Sequence, residues 1–210
     1  MKKIILIFAT ASAVAFSSFA QETDKREKLT FGIKVGANLS NVYDSQGAEF
    51  TADPKLGLAT GVFVGIPIGK YFGIQPEVLF SQKGFKAKGA VLGVDYTMTR
   101  TTSYIDVPIF VAIKPFDFLT ILAGPQYSFL LSQNDELSTP LGVTDYRTEF
   151  ENENIRKNTF CFTGGADINI SNLVLGARAG WDVLNNNGDG TSTTPRYKNM
   201  WYQATVGFRF

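Results

Sequence analysis

The sequence predicts an all-β fold, an eight-stranded antiparallel up-and-down transmembrane β-barrel with short periplasmic turns and long extracellular loops. Three observations predict it: apolar residues recur at every second position, connections alternate between short and long, and an apolar leader comes first. The last stretch shows the alternation best, because Tyr202, Ala204, Val206, Phe208 and Phe210 share one face. Its other face is small, polar or charged, since successive strand side chains point to opposite sides. In a membrane barrel the apolar face meets lipid and the polar face lines the interior.

Eight stretches carry this pattern, and each is interpreted as one strand. They are residues 29–39, 56–68, 72–83, 102–114, 118–131, 158–168, 173–182 and 202–210. In the first strand Ile33 and Val35 point outward and Lys34 points inward. In the second, Val62 and Val64 point outward between inward glycines. The first two strands therefore present an apolar outer face and a small or charged inner face.

The next three strands continue the alternation, with one irregularity. Glu77 points inward in the third strand and Asp106 in the fourth, each between outward apolar residues. The fifth strand is less regular, because Leu122 and Leu130 fall on its inner face. Prolines at 76, 108 and 125 lie inside these strands. Since proline cannot donate to a ladder, each is expected to mark a bulge or a strand that extends past the bilayer.

The sixth and seventh strands place Asp167, Arg178 and Asp182 inward. Shifting the seventh strand by one residue would turn Arg178 toward lipid, which costs roughly 2–4 kcal/mol near the midplane. The stated register is therefore favoured. The eighth strand is the C-terminal one, with Arg209 inward.

The connections between these strands alternate in length. Three are short, at 67–71, 115–117 and 169–172, and four are long, at 40–55, 84–101, 132–157 and 183–198. Short turns at one rim and long loops at the other are typical of outer-membrane barrels. This alternation predicts that the four long loops share the extracellular rim.

The N-terminus reads as a secretory signal peptide. Lys2 and Lys3 form a basic region, residues 4–16 are apolar, and small residues lead to a cleavage site after Ala20. The predicted organisation is a signal peptide at 1–20, a short polar segment at 21–28 and a barrel domain at 29–210. Losing Lys2 and Lys3 changes the formal charge from +1 to −1, which gives no reason to expect a nucleic-acid partner.

Composition excludes several kinds of chemistry. The chain has no histidine, so Ser-His-Asp and Cys-His catalysis and histidine-based metal sites are impossible. Cys161 is the single cysteine and is expected to be a packed thiol. The run from Asn185 resembles the start of a calcium loop, but Asn185 and Arg196 stand where carboxylates are needed, so a polar loop is favoured. We therefore expect no enzyme activity, no cofactor and no metal.

The inward charges are predicted to form a network inside the barrel. They are Lys34, Glu77, Asp106, Lys114, Asp167, Arg178, Asp182 and Arg209. An eight-stranded barrel has room for side chains and little else, so these charges must pair or be hydrated. Lys34 and Arg178 are expected to meet Glu77. The alternatives are an ion or proton path, and a catalytic pair of Glu77 with Asp106 that lacks a substrate cleft.

Together these features resemble the PorT-type outer-membrane β-barrel domain family. The resemblance rests on the signal peptide, inward glycines, residues 104–108 and 123–127, and the terminal run 206–210. It implies a small barrel in the outer membrane of a Gram-negative bacterium, surrounded by outer-membrane lipid. It also implies that the terminal aromatic strand, with Phe208 and Phe210, is similar to the signal that the barrel-assembly machinery reads. Some members of the family are linked to protein secretion.

The leading hypothesis is a monomeric, non-enzymatic integral outer-membrane barrel with a filled interior and surface-exposed loops. Its role would be structural, or binding of an unidentified partner through the loops. One alternative is a periplasmic lipocalin-like barrel that binds a small apolar ligand. Another is a narrow channel or a secretion-associated barrel. Heat-modifiable mobility in detergent gels would distinguish the membrane barrel from the soluble one, and single-channel conductance would test the channel.

Overall fold

The computed structural model describes residues 25–44, 52–91, 94–140, 142–146, 156–186 and 197–210. The predicted signal peptide and the polar run at 187–190 lie outside these residues. The described part contains one 3-10 helix, Lys25–Glu27, and nine strands. The strands are β1 (Thr30–Asp44), β2 (Ala52–Pro67), β3 (Phe72–Val91), β4 (Val94–Phe116), β5 (Leu119–Thr139), β6 (Gly142–Tyr146), β7 (Asn158–Ile170), β8 (Leu173–Asp182) and β9 (Tyr197–Arg209). No helix in these ranges is long and apolar enough to span a membrane.

Eight of the strands form a closed antiparallel ring. The neighbours run β4-β3-β2-β1-β9-β8-β7-β5, and β5 pairs with β4 to close the sheet. The first and last strands pair from Gly32–Arg209 to Asp44–Tyr197. The short strand β6 pairs only with the upper part of β5 among the described residues and lies outside the ring. The predicted eight-stranded up-and-down barrel is therefore confirmed.

The two faces of the wall differ as the alternation requires. On β1, Ile33 and Val35 are more than half exposed, whereas Lys34 between them is 4% exposed. Every ring strand has the same arrangement, so a belt of outward apolar side chains encircles the barrel. The interior is lined mainly by polar and charged residues, with a few large apolar ones such as Phe63 and Leu122. The core of this fold is thus a packed polar interior, enclosed by an apolar outer surface.

Strand extends into the long connections at 40–55, 84–101 and 132–157. Residues 84–101 were expected to be a loop, but β3 and β4 continue through them and stay paired from Gly84–Thr101 to Val91–Val94. β1 likewise extends to Asp44 and β5 to Thr139. The outward positions of the β3 and β4 extensions carry polar residues such as Lys86, Lys88 and Thr99, so they lack the outward apolar residues that marked the rest of each strand. We call this end of the barrel the hairpin rim and the opposite end the short-turn rim.

The prolines inside the strands do not shift the register. Pro76 pairs with Ile109 and Leu79 with Asp106, so β3 and β4 have one register on both sides of the proline. Pro108 opposite Gln126 and Pro125 opposite Phe162 also keep the register of their strands. Of the two expected alternatives the bulge is therefore wrong, whereas the strands that carry these prolines are long ones, with 20 residues in β3, 23 in β4 and 21 in β5. The three prolines interrupt single ladder bonds, and the register shifts instead lie at other positions, such as between Pro54 and Ala59.

Side chains from β1 span the irregularity between β2 and β3. The backbone ladder between these strands is interrupted from Pro54 to Ala59. Asn38 Nδ2 reaches past β2 and donates to Gln82 O at 3.0 Å. Ser40 Oγ accepts from Gly84 N at 2.8 Å and donates to Gly84 O at 2.9 Å. Backbone groups without a ladder partner are thus satisfied by buried side chains, as a barrel wall requires.

Two inward aromatic rings lie over glycines on the neighbouring strand. Trp201 pairs directly with Gly180, and Phe63 pairs with Gly32. A Cβ added at Gly180 would lie 2.4 Å from Trp201 Cζ2 and 2.9 Å from Thr163 Oγ1. Because Trp201 is 2% exposed, its ring has little space to move away. The glycine is therefore required for the ring to pack across the strand.

Replacing Gly180 with alanine should destabilise the barrel by about 1–3 kcal/mol, the usual cost of overpacking a filled core. Urea unfolding of the purified protein, followed by tryptophan fluorescence, measures the change. Gly69→Ala is the matched control, because no atom lies within 4 Å of the Cβ it adds. Equal midpoints for the two variants would show that Trp201 can adjust at no cost.

Candidate functional site

A cluster of charged side chains fills the half of the interior nearer the short-turn rim, which we call the lower half. Lys34 Nζ lies 2.7 Å from Glu77 Oε1, and Gln75 Nε2 donates to the same oxygen at 2.9 Å. Gln75 Nε2 also lies 3.3 Å from Asp167 Oδ2, which links the two carboxylates. Lys34, Glu77 and Asp167 are each at most 4% exposed. We call these residues, with Arg178, the lower cluster.

Arg178 pairs mainly with Asp167. Its Nη2 donates to Asp167 Oδ2 at 2.8 Å, whereas its Nη1 lies 2.7 Å from Asp167 Oδ1 and donates to the carbonyl oxygens of Ala166 and Ala177. Glu77 Oε1 is 3.7 Å from Nη2, so Glu77 is its secondary partner. The sequence predicted that both cations meet inward carboxylates, with Glu77 as the favoured partner; Glu77 lies beside both, and Asp167 is the nearer partner of Arg178. The lower cluster contains two cations and two carboxylates, so its formal charges balance.

A second cluster lies nearer the hairpin rim, and Lys83 is its centre. Lys83 Nζ lies 3.0 Å from Asp106 Oδ2, and both side chains are 1% exposed. The ammonium group also lies 3.7 Å from the centre of the Trp201 ring and 5.0 Å from that of Tyr104. Lys34 over Phe63 and Arg178 over Phe110 have similar contacts. Each of the three cations is therefore held by a carboxylate and an aromatic face.

Asp182 is stabilised by donors that carry no formal charge. Its Oδ2 accepts from the backbone N of Asn199 at 3.1 Å and from Asn199 Nδ2 at 2.6 Å. Cys161 Sγ donates to Oδ1 at 3.1 Å and lies 3.5 Å from Ser128 Oγ. Cys161 is completely buried, so it is a packed thiol within a polar network.

Apolar side chains interrupt the polar interior. Phe110, Ala112 and Leu122 form a buried cluster on the inner faces of β4 and β5, and each is 1% exposed. Leu122, which made the alternation of the fifth strand irregular, therefore packs inside the barrel. Arg178 lies against Phe110, with 5.4 Å between its guanidinium carbon and the ring centre.

The short-turn rim is closed by the segment before β1. Arg26 Nε lies 2.7 Å from Asp117 Oδ1, and Lys114 Nζ donates to Arg26 O at 3.0 Å. Lys114 and Arg209 lie at this rim, where they line a cavity of about 30 Å³ below the lower cluster. Such a cavity holds about one or two water molecules. These two predicted network residues are therefore rim residues, separate from the paired clusters.

The hairpin rim is filled by a third group of contacts. Arg100 donates from Nε and Nη2 to the two oxygens of Asp135, at 2.8 and 2.6 Å, and from Nη1 to Tyr197 at 2.9 Å. Burial by itself lowers the pKa of Arg100. The hydrogen bonds and charges of Asp135 and Tyr197 raise it by more, so the pKa lies above its ordinary value. The enclosed space beneath these side chains leaves no room for a water molecule.

The terminal aromatics lie on the outer face. Phe208 is 45% and Phe210 is 69% exposed, and their ring centres are 5.2 Å apart in an edge-on contact. Phe210 N donates to Phe31 O at 2.8 Å, which continues the pairing of the last strand with the first. Both rings therefore lie at the short-turn end of the apolar belt.

These arrangements supply packing and charge compensation inside the barrel. Within the described ranges, no three Cys, Asp or Glu side chains converge in a way that could hold a metal ion. Glu77 and Asp106 belong to different clusters, each occupied by a cation. Sequence reasoning left out Arg100, which lies in a stretch expected to be a loop. It also gave Lys83 no partner, although its inward position opposite a charged strand was a usable signal.

Replacing Glu77 with alanine should cost about 3–5 kcal/mol of unfolding free energy, because Lys34 would be left buried without its carboxylate. Urea unfolding measures this loss, with the exposed Glu27→Ala as the control. A Lys34→Met/Glu77→Ala double variant should lose less than the sum of the two single changes, since it removes both charges. An unchanged midpoint for Glu77→Ala would contradict the assigned pairing.

Comparisons with solved structures agree with this architecture. Ail, the attachment invasion locus protein of Yersinia pestis, is 12% identical, with 86% of this chain and 98% of that chain covered and a TM-score of 0.51. Ail in complex with the heparin analogue sucrose octasulfate gives 13% identity, 87% and 99% coverage and a TM-score of 0.51. Neisserial surface protein A is 14% identical, with 86% of this chain and 97% of that chain covered and a TM-score of 0.45. At such identities the likeness concerns the fold alone.

Sequence comparison is more specific. No curated protein matches the chain. A family model described as an outer membrane protein beta-barrel domain matches residues 19–186, well over half of the 210 residues. The match covers seven of the eight ring strands and the paired clusters of the interior. The chain therefore belongs to the outer membrane protein beta-barrel domain family.

Proposed function

We propose that this protein is a non-enzymatic integral outer-membrane barrel whose interior is a structural filling and whose long hairpins bind a partner outside the cell. The observation that carries the proposal is the combination of a complete outward apolar belt with a closely filled interior. An apolar belt of this kind is stable in lipid and costly in water. This supports a membrane barrel over the soluble lipocalin-like alternative.

The filled interior also supports a structural barrel over a narrow channel. Three groups fill the lumen from the short-turn rim toward the hairpin rim. They are the lower cluster, the contact of Arg178 with Phe110, and Lys83 with its aromatic partners. The proposal includes cleavage of a signal peptide after Ala20, assembly by the barrel-assembly machinery and a monomeric state in outer-membrane lipid. Membership of the PorT-type branch, with its link to secretion in some members, is part of the same proposal and rests on the segments quoted above.

The hairpin rim is the part we assign to partner binding. β3 and β4 continue as a paired hairpin to Val91 and Val94, beyond the last outward apolar residues of these strands. A salt bridge between Arg100 and Asp135 connects β4 to β5 at this level. Such reinforced extensions can present a defined surface, because less conformational entropy is lost when a partner binds.

We predict that an epitope tag inserted near Gly188 is readable on intact cells, whereas one inserted after Ser171, beside Asn169, is not. The reason is that the turn at Ser171 lies at the short-turn rim, which we assign to the periplasm. Antibody labelling before and after permeabilisation measures access, and heat-modifiable mobility of both proteins is the control for folding. The reverse labelling pattern would exclude the proposed orientation.

Removing Phe210 should reduce assembly in cells more than folding in detergent. The exposed ring contacts Phe208, and its loss leaves the interior unchanged, so a folding defect in micelles should be small. The measurement is the amount of heat-modifiable protein in outer membranes, compared with refolding of the purified variant. Phe118→Ala is the matched control, an exposed aromatic at the same rim. Normal assembly without Phe210 would show that this residue contributes to packing only.

A further inference from the structure

Three cationic side chains line the cavity at the short-turn rim, those of Arg26, Lys114 and Arg209. The cavity has a volume of about 30 Å³. Asp167 of the lower cluster faces it from the interior, and Asp117, whose side chain is 65% exposed, faces it from the rim. The cavity therefore lies between the packed interior and the surface of the barrel, where an ion from solution can reach it.

Two of these three cations have only neutral acceptors. Arg26 Nε lies 2.7 Å from Asp117 Oδ1, so this pair is balanced. Lys114 Nζ donates to the backbone oxygen of Arg26 at 3.0 Å, and Arg209 Nε donates to that of Ser171 at 2.9 Å. Neither Lys114 nor Arg209 forms a salt bridge with any residue that the structure describes. Two positive charges without a carboxylate partner therefore face one small cavity.

Asp167 does not compensate these two charges, because its own partner is Arg178. Arg178 Nη2 donates to Asp167 Oδ2 at 2.8 Å, and Arg178 Nη1 lies 2.7 Å from Oδ1. Gln75 Nε2 also donates to Oδ2, at 3.3 Å. Since the lower cluster balances its own formal charges, it leaves Lys114 and Arg209 without a counter-charge.

The cavity also offers a hydroxyl donor. Thr120 is 6% exposed, and its Oγ1 accepts from Asn169 Nδ2 at 3.0 Å, so its own proton is available to a group in the cavity. An ammonium group carries three protons and a guanidinium group five, whereas one side-chain proton each of Lys114 and Arg209 has an acceptor among the described residues. Donors from β4, β5 and β9 therefore line the same small space.

We propose that this cavity binds one small monovalent inorganic anion of about the size of chloride. Lys114 and Arg209 supply the charge, and Thr120 supplies a further hydrogen bond. A volume that holds about one or two water molecules accepts a halide ion, whereas phosphate or an organic acid needs more room. Hydrogen bonds between ionised groups and an anion are the strong ones, which favours binding at a partly buried site. This inference is independent of which rim faces outward.

The test measures chloride binding to the folded protein in detergent micelles, by the broadening of the chloride-35 NMR signal. A hydrogen bond to a charged group contributes about a tenfold factor in affinity or more. We expect Lys114→Met and Arg209→Met each to weaken chloride binding about tenfold, and the double variant to abolish the broadening. Lys70→Met is the matched control, because it removes an exposed charge at the same rim that does not line the cavity. Heat-modifiable mobility verifies that each variant is folded.

Wild-type broadening no greater than that of the double variant, or an equal loss in Lys70→Met, would overturn the proposal. Crystals grown in sodium bromide locate the ion, and we expect an anomalous peak between Lys114 and Arg209. Bromide bound only elsewhere would contradict the assigned site, as would phosphate that competes as well as bromide does.

A last variant tests whether the chain itself supplies the anion. Glu22→Gln/Asp24→Asn removes the acidic side chains that shortly precede Arg26 in the sequence. We expect its chloride affinity to equal that of wild type. A gain of about tenfold, the factor for one charged hydrogen bond, would show that a carboxylate of the chain is the preferred occupant and would overturn the proposal. Reversed labelling of the two rims would overturn the proposed orientation and leave this inference intact.

Discussion

Closure of the sheet between β1 and β9 is the constraint on which the rest of this structure depends. In lipid every backbone donor and acceptor must be satisfied within the protein, so the first and last strands have to pair along their length. Eight strands close into a ring too narrow for more than side chains. The lumen must therefore be filled, and filling it with charged groups requires a partner for each. Lys34 with Glu77, Arg178 with Asp167 and Lys83 with Asp106 meet that requirement.

The aromatic contacts follow from the same narrowness. Lys83 lies against Trp201, and Gly180 on the neighbouring strand β8 leaves the space for that ring. A cation, its carboxylate, a ring and a glycine thus form one packed unit that links several strands. Such units fix the stagger between strands, because a shift of one residue would separate all of these partners at once.

Much of the fold was predictable from the sequence, since period-two alternation reports directly which face each residue occupies. Lys34, Asp106 and Arg178 all point inward for this reason. The nearer partner of Arg178 was not predictable, because strand stagger decides whether Glu77 or Asp167 comes closer to its guanidinium group. The extended β3–β4 hairpin was also missed. Beyond the belt the outer face does not meet lipid, so Thr97, Thr99 and Thr101 occupy the outward positions of the strand where apolar residues would otherwise have marked it.

The prolines have a consequence before the barrel exists. Pro76, Pro108 and Pro125 lie on three adjacent strands around Ile109, within segments rich in apolar, β-forming residues. An unfolded chain bound for the outer membrane exposes such segments in water, where they can pair with other copies. A proline in each one removes an amide donor and interrupts intermolecular strand growth. The finished wall tolerates these missing donors without a change of register, so the protection against aggregation in transit costs the folded barrel little.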